Sequence, residues 1–177
     1  MTCIVAIAEK GNIWMGADSA GVGGLFLQTR KDPKIYCVGD MLIGFTSSFR
    51  MGQVLAYQFN PPNHEKNISI EKYLATVFID EIRKTYKIAG YAKKESEVES
   101  AGTFLLGYRG RIFKILDDYQ VAESNQKFDS CGCGVEIALG SLYSTKDLNP
   151  KTRILTALKA AESFSAGVRA PFIVMQN

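Results

Sequence analysis

Short apolar runs of strand length, broken by polar or glycine-containing turns, open the chain. Residues 3–8 and 13–17 flank Glu9-Lys10-Gly11-Asn12 and predict a β-hairpin. Apolar runs at 25–29 and 34–38, parted by Arg30-Lys31-Asp32-Pro33, predict two more strands, and Gly39-Asp40 turns the chain into another at 41–45. The spacing then lengthens. Met51, Val54, Leu55 and Gln58 recur at helical intervals over 48–59, and Pro61-Pro62 ends that helix. Ser69 can cap a second helix, with Ile70, Leu74, Val77, Phe78 and Ile82 on its apolar face, running to about Ile88. Residues 89–102 are charged and rich in small side chains, which predicts a loop. A hairpin of 103–108 and 111–116 around Gly110 follows, then a short strand at 121–122 and a short helix at 135–143. Asn149-Pro150 places an N-cap before a proline at the first helical position, so a helix is expected over 150–164, with a closing strand at 171–175. Strands, two helices, strands, two helices and a strand predict a layered α+β fold, two antiparallel sheets with helix pairs outside.

Composition narrows the class. A chain of 177 residues, 46% apolar, suits one domain spanning 1–177. It contains no apolar stretch of bilayer length and no signal-peptide pattern at its start, so a cytoplasmic protein without a membrane partner is expected. The four cysteines are expected to be free buried thiols: Cys3 and Cys37 fall in strand-like runs, and Cys131 and Cys133 flank a glycine. No metal is expected, because no Cys-x-x-Cys pair or added histidine accompanies them. The net charge is +3. Lys84, Lys87, Lys93 and Lys94 are followed by Glu95, Glu97 and Glu99, a solvated helix end and loop rather than a nucleic-acid surface. His64, the one histidine, lies in the polar stretch Pro61-Pro62-Asn63-His64-Glu65 and is expected at the surface, which leaves a Ser-His-Asp triad without its base. Gly21-Val22-Gly23-Gly24 reads as a turn, too short for a dinucleotide fingerprint.

The chemistry is concentrated elsewhere. The chain begins Met1-Thr2-Cys3. Threonine is small enough to permit removal of Met1, and a free Thr2 would carry a hydroxyl nucleophile and an α-amine base on one residue. Such an amine titrates near about 7.7–8.0, and amine-activated threonine is a route to covalent catalysis. Asp18 comes just after one predicted strand and Lys34 starts another. The intervals Thr2–Asp18 and Asp18–Lys34 are both sixteen residues.

With these intervals the chain resembles the proteasome β-subunit and HslV family of N-terminal-nucleophile (Ntn) hydrolases. Asp18-Ser19-Ala20-Gly21-Val22 and Gly44-Phe45-Thr46-Ser47-Ser48-Phe49-Arg50-Met51-Gly52 are similar to stretches of small proteasome-like proteins of bacteria and phages. The resemblance implies a four-layer αββα sandwich and a threonine-dependent hydrolase of peptides or proteins, assembled as a homo-oligomeric ring without cofactor. It leaves any unfoldase partner open. It implies Thr2 as nucleophile, with Lys34 lowering the local pKa values and Asp18 orienting Lys34. The oxyanion donor maps to the backbone of Ser47 or Ser48, with Ser48 the preferred position. Cys133 stands in Gly132-Cys133-Gly134 where the family has serine. Glu162 and Ser165 stand where it has Asp-x-x-Ser, and Val22 where many members have threonine. These departures keep two alternatives open: a non-catalytic structural subunit of the same fold, or an amidase for small metabolites.

Overall fold

The computed structural model describes residues 1–95 and 98–177. Ser96 and Glu97, part of the expected loop at 89–102, lie outside the described residues. The strands are β1 (Cys3–Glu9), β2 (Asn12–Ala17), β3 (Ala20–Gly23), β4 (Phe26–Thr29), β5 (Ile35–Val38), β6 (Met41–Phe45), β7 (Lys93–Glu95), β8 (Val98–Ser100), β9 (Phe104–Tyr108), β10 (Arg111–Ile115), β11 (Val121–Glu123), β12 (Phe128–Gly132) and β13 (Ile173–Gln176). The helices are α1 (Phe49–Tyr57), α2 (Ile70–Tyr73), α3 (Ile79–Ile88), α4 (Val135–Ser144) and α5 (Pro150–Phe164), with a π-helical segment, Leu74–Phe78, joining α2 to α3. This is a mixed α/β fold with antiparallel sheets. One sheet runs β12-β1-β2-β13, a second β11-β10-β9-β6-β5, and β3-β4 and β7-β8 form separate pairs.

Strand alternation decides which residues meet. In β1, Ile4 and Ala6 face Ile35, Leu42, Leu105 and Ile112 of the second sheet. Cys3, Val5 and Ile7 point the other way, onto Ala138 and Leu142 of α4 and Ile154, Ala157, Leu158 and Ala161 of α5. In the second sheet, Leu42 and Leu105 face inward, while Ile43, Phe45, Phe104 and Leu106 pack on Met51, Val54 and Leu55 of α1 and on Phe78, Ile82 and Tyr86. Period-two alternation of this kind is what two buried faces require. Each fully buried Ile or Leu stabilises by about 1.5–3 kcal/mol. Gly44 lets the sheets close, since a Cβ there would stand 2.6 Å from Ile4 Cγ2 and from Met15 Sδ.

Several expectations change. Gly21, Val22 and Gly23 do not form a turn. They belong to β3, with Val22 paired to Leu27 of β4. The strand β12 has no counterpart in the apolar pattern, because Asp129 and Ser130 interrupt it. Both are satisfied internally: Lys114 Nζ donates to Asp129 Oδ1 at 2.7 Å and Ser130 Oγ to Ile4 O at 2.7 Å. The π segment widens one helical turn, and Val77, expected on the apolar face, is exposed while Leu74 and Phe78 stay buried. His64 is buried, not at the surface. Its ring stacks on Tyr73 at 4.2 Å between centroids, with Nδ1 3.0 Å from Tyr108 Oη and Nε2 2.8 Å from Ile68 O. Of the cysteines, all free, Cys3 and Cys131 are buried as expected, but Cys37 and Cys133 are exposed. Among the described residues no helix is long and apolar enough to cross a membrane.

Candidate active site

Strand ends converge where the two sheets meet the N-terminus. Asp18 follows β2, Lys34 precedes β5, and Thr2 precedes β1. Asp18 and Lys34 are each 1% exposed and form an ion pair, Lys34 Nζ to Asp18 Oδ1 at 2.9 Å. The same Oδ1 accepts the Cys3 N–H at 2.9 Å, one residue from Thr2. Asp18 Oδ2 accepts from Ala20 N at 2.8 Å and Arg169 N at 3.3 Å. The carboxylate is thus held by one ammonium and three backbone donors, which is what a buried charge needs. Burial pulls the Lys34 ammonium below its ordinary value, against the attraction and hydrogen bond of Asp18. Burial also pushes the neighbouring Cys3 thiol up to about 12, so it stays protonated and inert.

The far side of Thr2 is softer. Thr2 N donates to Cys133 Sγ at 3.3 Å, and the Cys133 thiol donates back to Thr2 O at 3.5 Å. Ser165, the C-cap of α5, donates its hydroxyl to Cys133 Sγ at 3.3 Å. Gly132 makes this approach possible. It lies at φ +100°, and a Cβ there would sit 2.1 Å from Thr2 O. Met1 stands over Gly167, whose added Cβ would meet Met1 Cβ at 2.4 Å and Cys133 Sγ at 2.7 Å. With Met1 in place the Thr2 nitrogen is an amide, and the Thr2 hydroxyl donates to Met1 O at 2.5 Å.

Glu162 acts at one remove. Its Oε1 accepts from Ala170 N at 2.8 Å, fixing the 169–171 segment that reaches back to Asp18 and Ser19. Ser19 N donates to Arg169 O at 2.8 Å and Ser19 Oγ to Pro171 O at 2.6 Å.

The N-terminus opens into a cleft of about 270 Å³, lined by Thr2, Val22, Phe26, Arg30, Ser47 and Phe49 among others. The Ser48 N–H donates to Thr46 O at 2.8 Å, and the Ser48 side chain caps α1 through Arg50 N. The expected Ser48 donor is therefore already engaged, because Ser47, at φ +68°, folds the chain into a tight three-residue turn. The Ser47 N–H has no protein partner among the described residues. The sequence carries no mark of the backbone donors of Cys3, Ala20 and Arg169, since any residue but proline supplies an N–H. Among the described residues no three His, Cys, Asp or Glu gather as a metal site.

The chain matches no protein-family model and no curated protein. Solved structures do match. BPH of Thiobacillus denitrificans, in complex with epoxomicin, aligns at TM-score 0.81 and 22% identity over 99% of this chain and 98% of its own. Eukaryotic HslV from Trypanosoma brucei aligns at TM-score 0.69 and 11% identity over 99% and 98%. An Anbu Gly-1 mutant from Hyphomicrobium sp. strain MC1 aligns at TM-score 0.70 and 15% identity over 100% and 82%. At these identities the likeness is one of fold, and the fold is that of the proteasome-like Ntn hydrolases.

Proposed function

We propose that this chain is a threonine-dependent amide hydrolase acting on peptides, with Thr2 as its nucleophile once Met1 is removed. The observation that carries the reading is the Asp18 carboxylate, which joins Lys34 Nζ to the Cys3 N–H directly beside Thr2. Removal of Met1 converts the Thr2 amide into an amine and frees its hydroxyl from Met1 O. Thr2 Oγ then attacks the scissile carbonyl carbon while its proton passes to the Thr2 amine. The tetrahedral intermediate expels the leaving amine, which takes that proton, and water hydrolyses the remaining ester. Lys34 lies beneath as an electrostatic support, oriented by Asp18. The Ser47 N–H, neighbour to the engaged Ser48 N–H, is the donor for the oxyanion. Cys133 and Ser165 position the Thr2 amine, and Glu162 positions the 169–171 segment.

The three apolar clusters support the four-layer αββα arrangement, with α4 and α5 on one outer face and α1 to α3 on the other. One domain, a cytoplasmic location and a homo-oligomeric assembly belong to the same reading. Exposed Leu25 and Phe26 at the β3–β4 tip and Phe164 at the end of α5 are apolar surfaces suited to contact between copies.

A second reading, a non-catalytic subunit, is favoured by one observation. With Met1 present, the Thr2 hydroxyl and the Thr2 nitrogen are both engaged. Intact mass and epoxomicin separate the two readings. The hydrolase loses one methionine and gains one inhibitor mass at Thr2; Thr2→Ala gains none and turns over nothing, and Thr2→Ser keeps part of the rate. Protein that keeps Met1 in its native cytosol, or a Thr2→Ala variant with unchanged turnover, overturns the proposal.

A further inference from the structure

We propose that Arg30 is a specificity-determining residue that selects peptides carrying an acidic side chain within the three residues preceding the scissile bond; this rests on the hydrolase reading above. Arg30 is the only ionisable side chain among the described residues lining the cleft. Three features hold it there. Gly21 lets its stem cross β3, since a Cβ at Gly21 would stand 2.6 Å from Arg30 Cδ. The Phe49 ring lies under its guanidinium, 3.8 Å from ring centroid to Cζ, a cation–π support. Asp32 anchors one edge, with Arg30 Nε donating to Asp32 Oδ2 at 2.6 Å and Nη2 paired to the same oxygen.

That geometry leaves the other edge free. Both bonds to Asp32 use Nε and Nη2, and Arg30 Nη1 has no protein partner among the described residues. A guanidinium presents five donors in a fixed fork, so one carboxylate does not exhaust it. The remaining side chains lining the cleft, Gln28 and Met1 included, are neutral and supply no competing charge. A substrate carboxylate there gains a charge-assisted hydrogen bond from a donor already immobilised, with little side-chain entropy left to lose. A lysine at the same place meets a like charge. Asp32, half-exposed and not among the residues lining the cleft, fixes Arg30 without filling it.

The test uses full-length protein and labelled peptides with Glu, Gln or Lys at each of the three positions preceding the cleaved bond. At one of them kcat/KM is expected to favour Glu over Gln by about tenfold, the size of one charge-assisted contact. Arg30→Met brings that ratio to about one. Arg30→Lys, which keeps the charge, retains a preference for Glu, and Arg30→Glu turns the preference to Lys. The same peptides are titrated by fluorescence anisotropy onto Thr2→Ala and its Arg30→Met partner. A Glu preference in binding, with no turnover of any peptide by the wild type, sustains the inference and overturns the hydrolase. Turnover with equal rates for Glu and Gln at every position, or a preference that survives Arg30→Met, overturns the inference and leaves the hydrolase standing. Equal binding without turnover overturns both.

Discussion

The floor and the rim of the candidate site are built by different rules. The floor is the Asp18–Lys34 pair, almost wholly buried and fixed by strand ends, with the carboxylate bonded to three backbone donors besides the ammonium. The rim is Met1, Thr2, Cys133, Ser165 and the Ser47–Ser48 turn, where the contacts of Cys133 are sulfur contacts of 3.3–3.5 Å and Met1 and Cys133 reach solvent. The difference teaches where the chain tolerates change. A buried charge cannot lose a partner cheaply. A rim thiol can be exchanged for another small donor.

The largest effect belongs to the floor. Asp18→Ala strands Lys34 and orphans the N–H groups of Cys3, Ala20 and Arg169, and is expected to cost about 3–5 kcal/mol. Urea unfolding measures it. Lys34→Met is expected to cost less, because the backbone donors still hold the carboxylate. Equal losses for the two would show that the backbone donors carry little of the load, and the comparison would break.

Next comes the junction between floor and rim. Gly132→Ala forces a Cβ onto Thr2 O from a left-handed backbone position, and is expected to cost about 1–3 kcal/mol. It should also lower turnover more than Gly23→Ala, where an added Cβ meets nothing within 4 Å.

The third effect is one of pH. The Lys34 pKa is lowered in the folded chain, so between that depressed value and 10.5 the unfolded chain binds a proton the folded chain has released. Stability therefore rises with pH through that window, by at most about 1.4 kcal/mol per pH unit. Lys34→Met is expected to flatten the rise, which urea midpoints at stepped alkaline pH would show. A slope unchanged by the substitution would assign the titration to another group.

The smallest belongs to the rim. Cys133→Ser replaces a weak thiol partner with a hydroxyl and is expected to shift stability by less than about 0.5 kcal/mol while keeping or raising turnover. Cys133→Val, which offers the Thr2 nitrogen no acceptor, should lower turnover at similar stability. Equal rates in the two variants would reduce Cys133 to packing.

What the sequence determined by itself was local or periodic. The apolar run at 41–45 and the Asn149-Pro150 start over 150–164 coincide with β6 and α5. Such segments bury a face whose period is written in the residues themselves. The family resemblance, carried by the two sixteen-residue intervals, singled out Asp18 and Lys34, which the fold brings into one ion pair beside Thr2. Only the tertiary structure decided the rest. Asp129 and Ser130 sit in a strand because Lys114 and Ile4 satisfy them from other strands. His64 is buried because Tyr108, 44 residues along the chain, closes on a ring that the nearer Tyr73 and Ile68 already hold. The Ser47 turn that engages the Ser48 N–H is met from a distant segment, Thr103 N donating to Ser47 Oγ at 3.2 Å, and Arg30 lies in the cleft because Gly21 and Phe49 flank it. In each case a polar group's place depends on which partner can meet it. That is a property of the folded chain, since a donor and its acceptor leave no periodic mark on the residues between them.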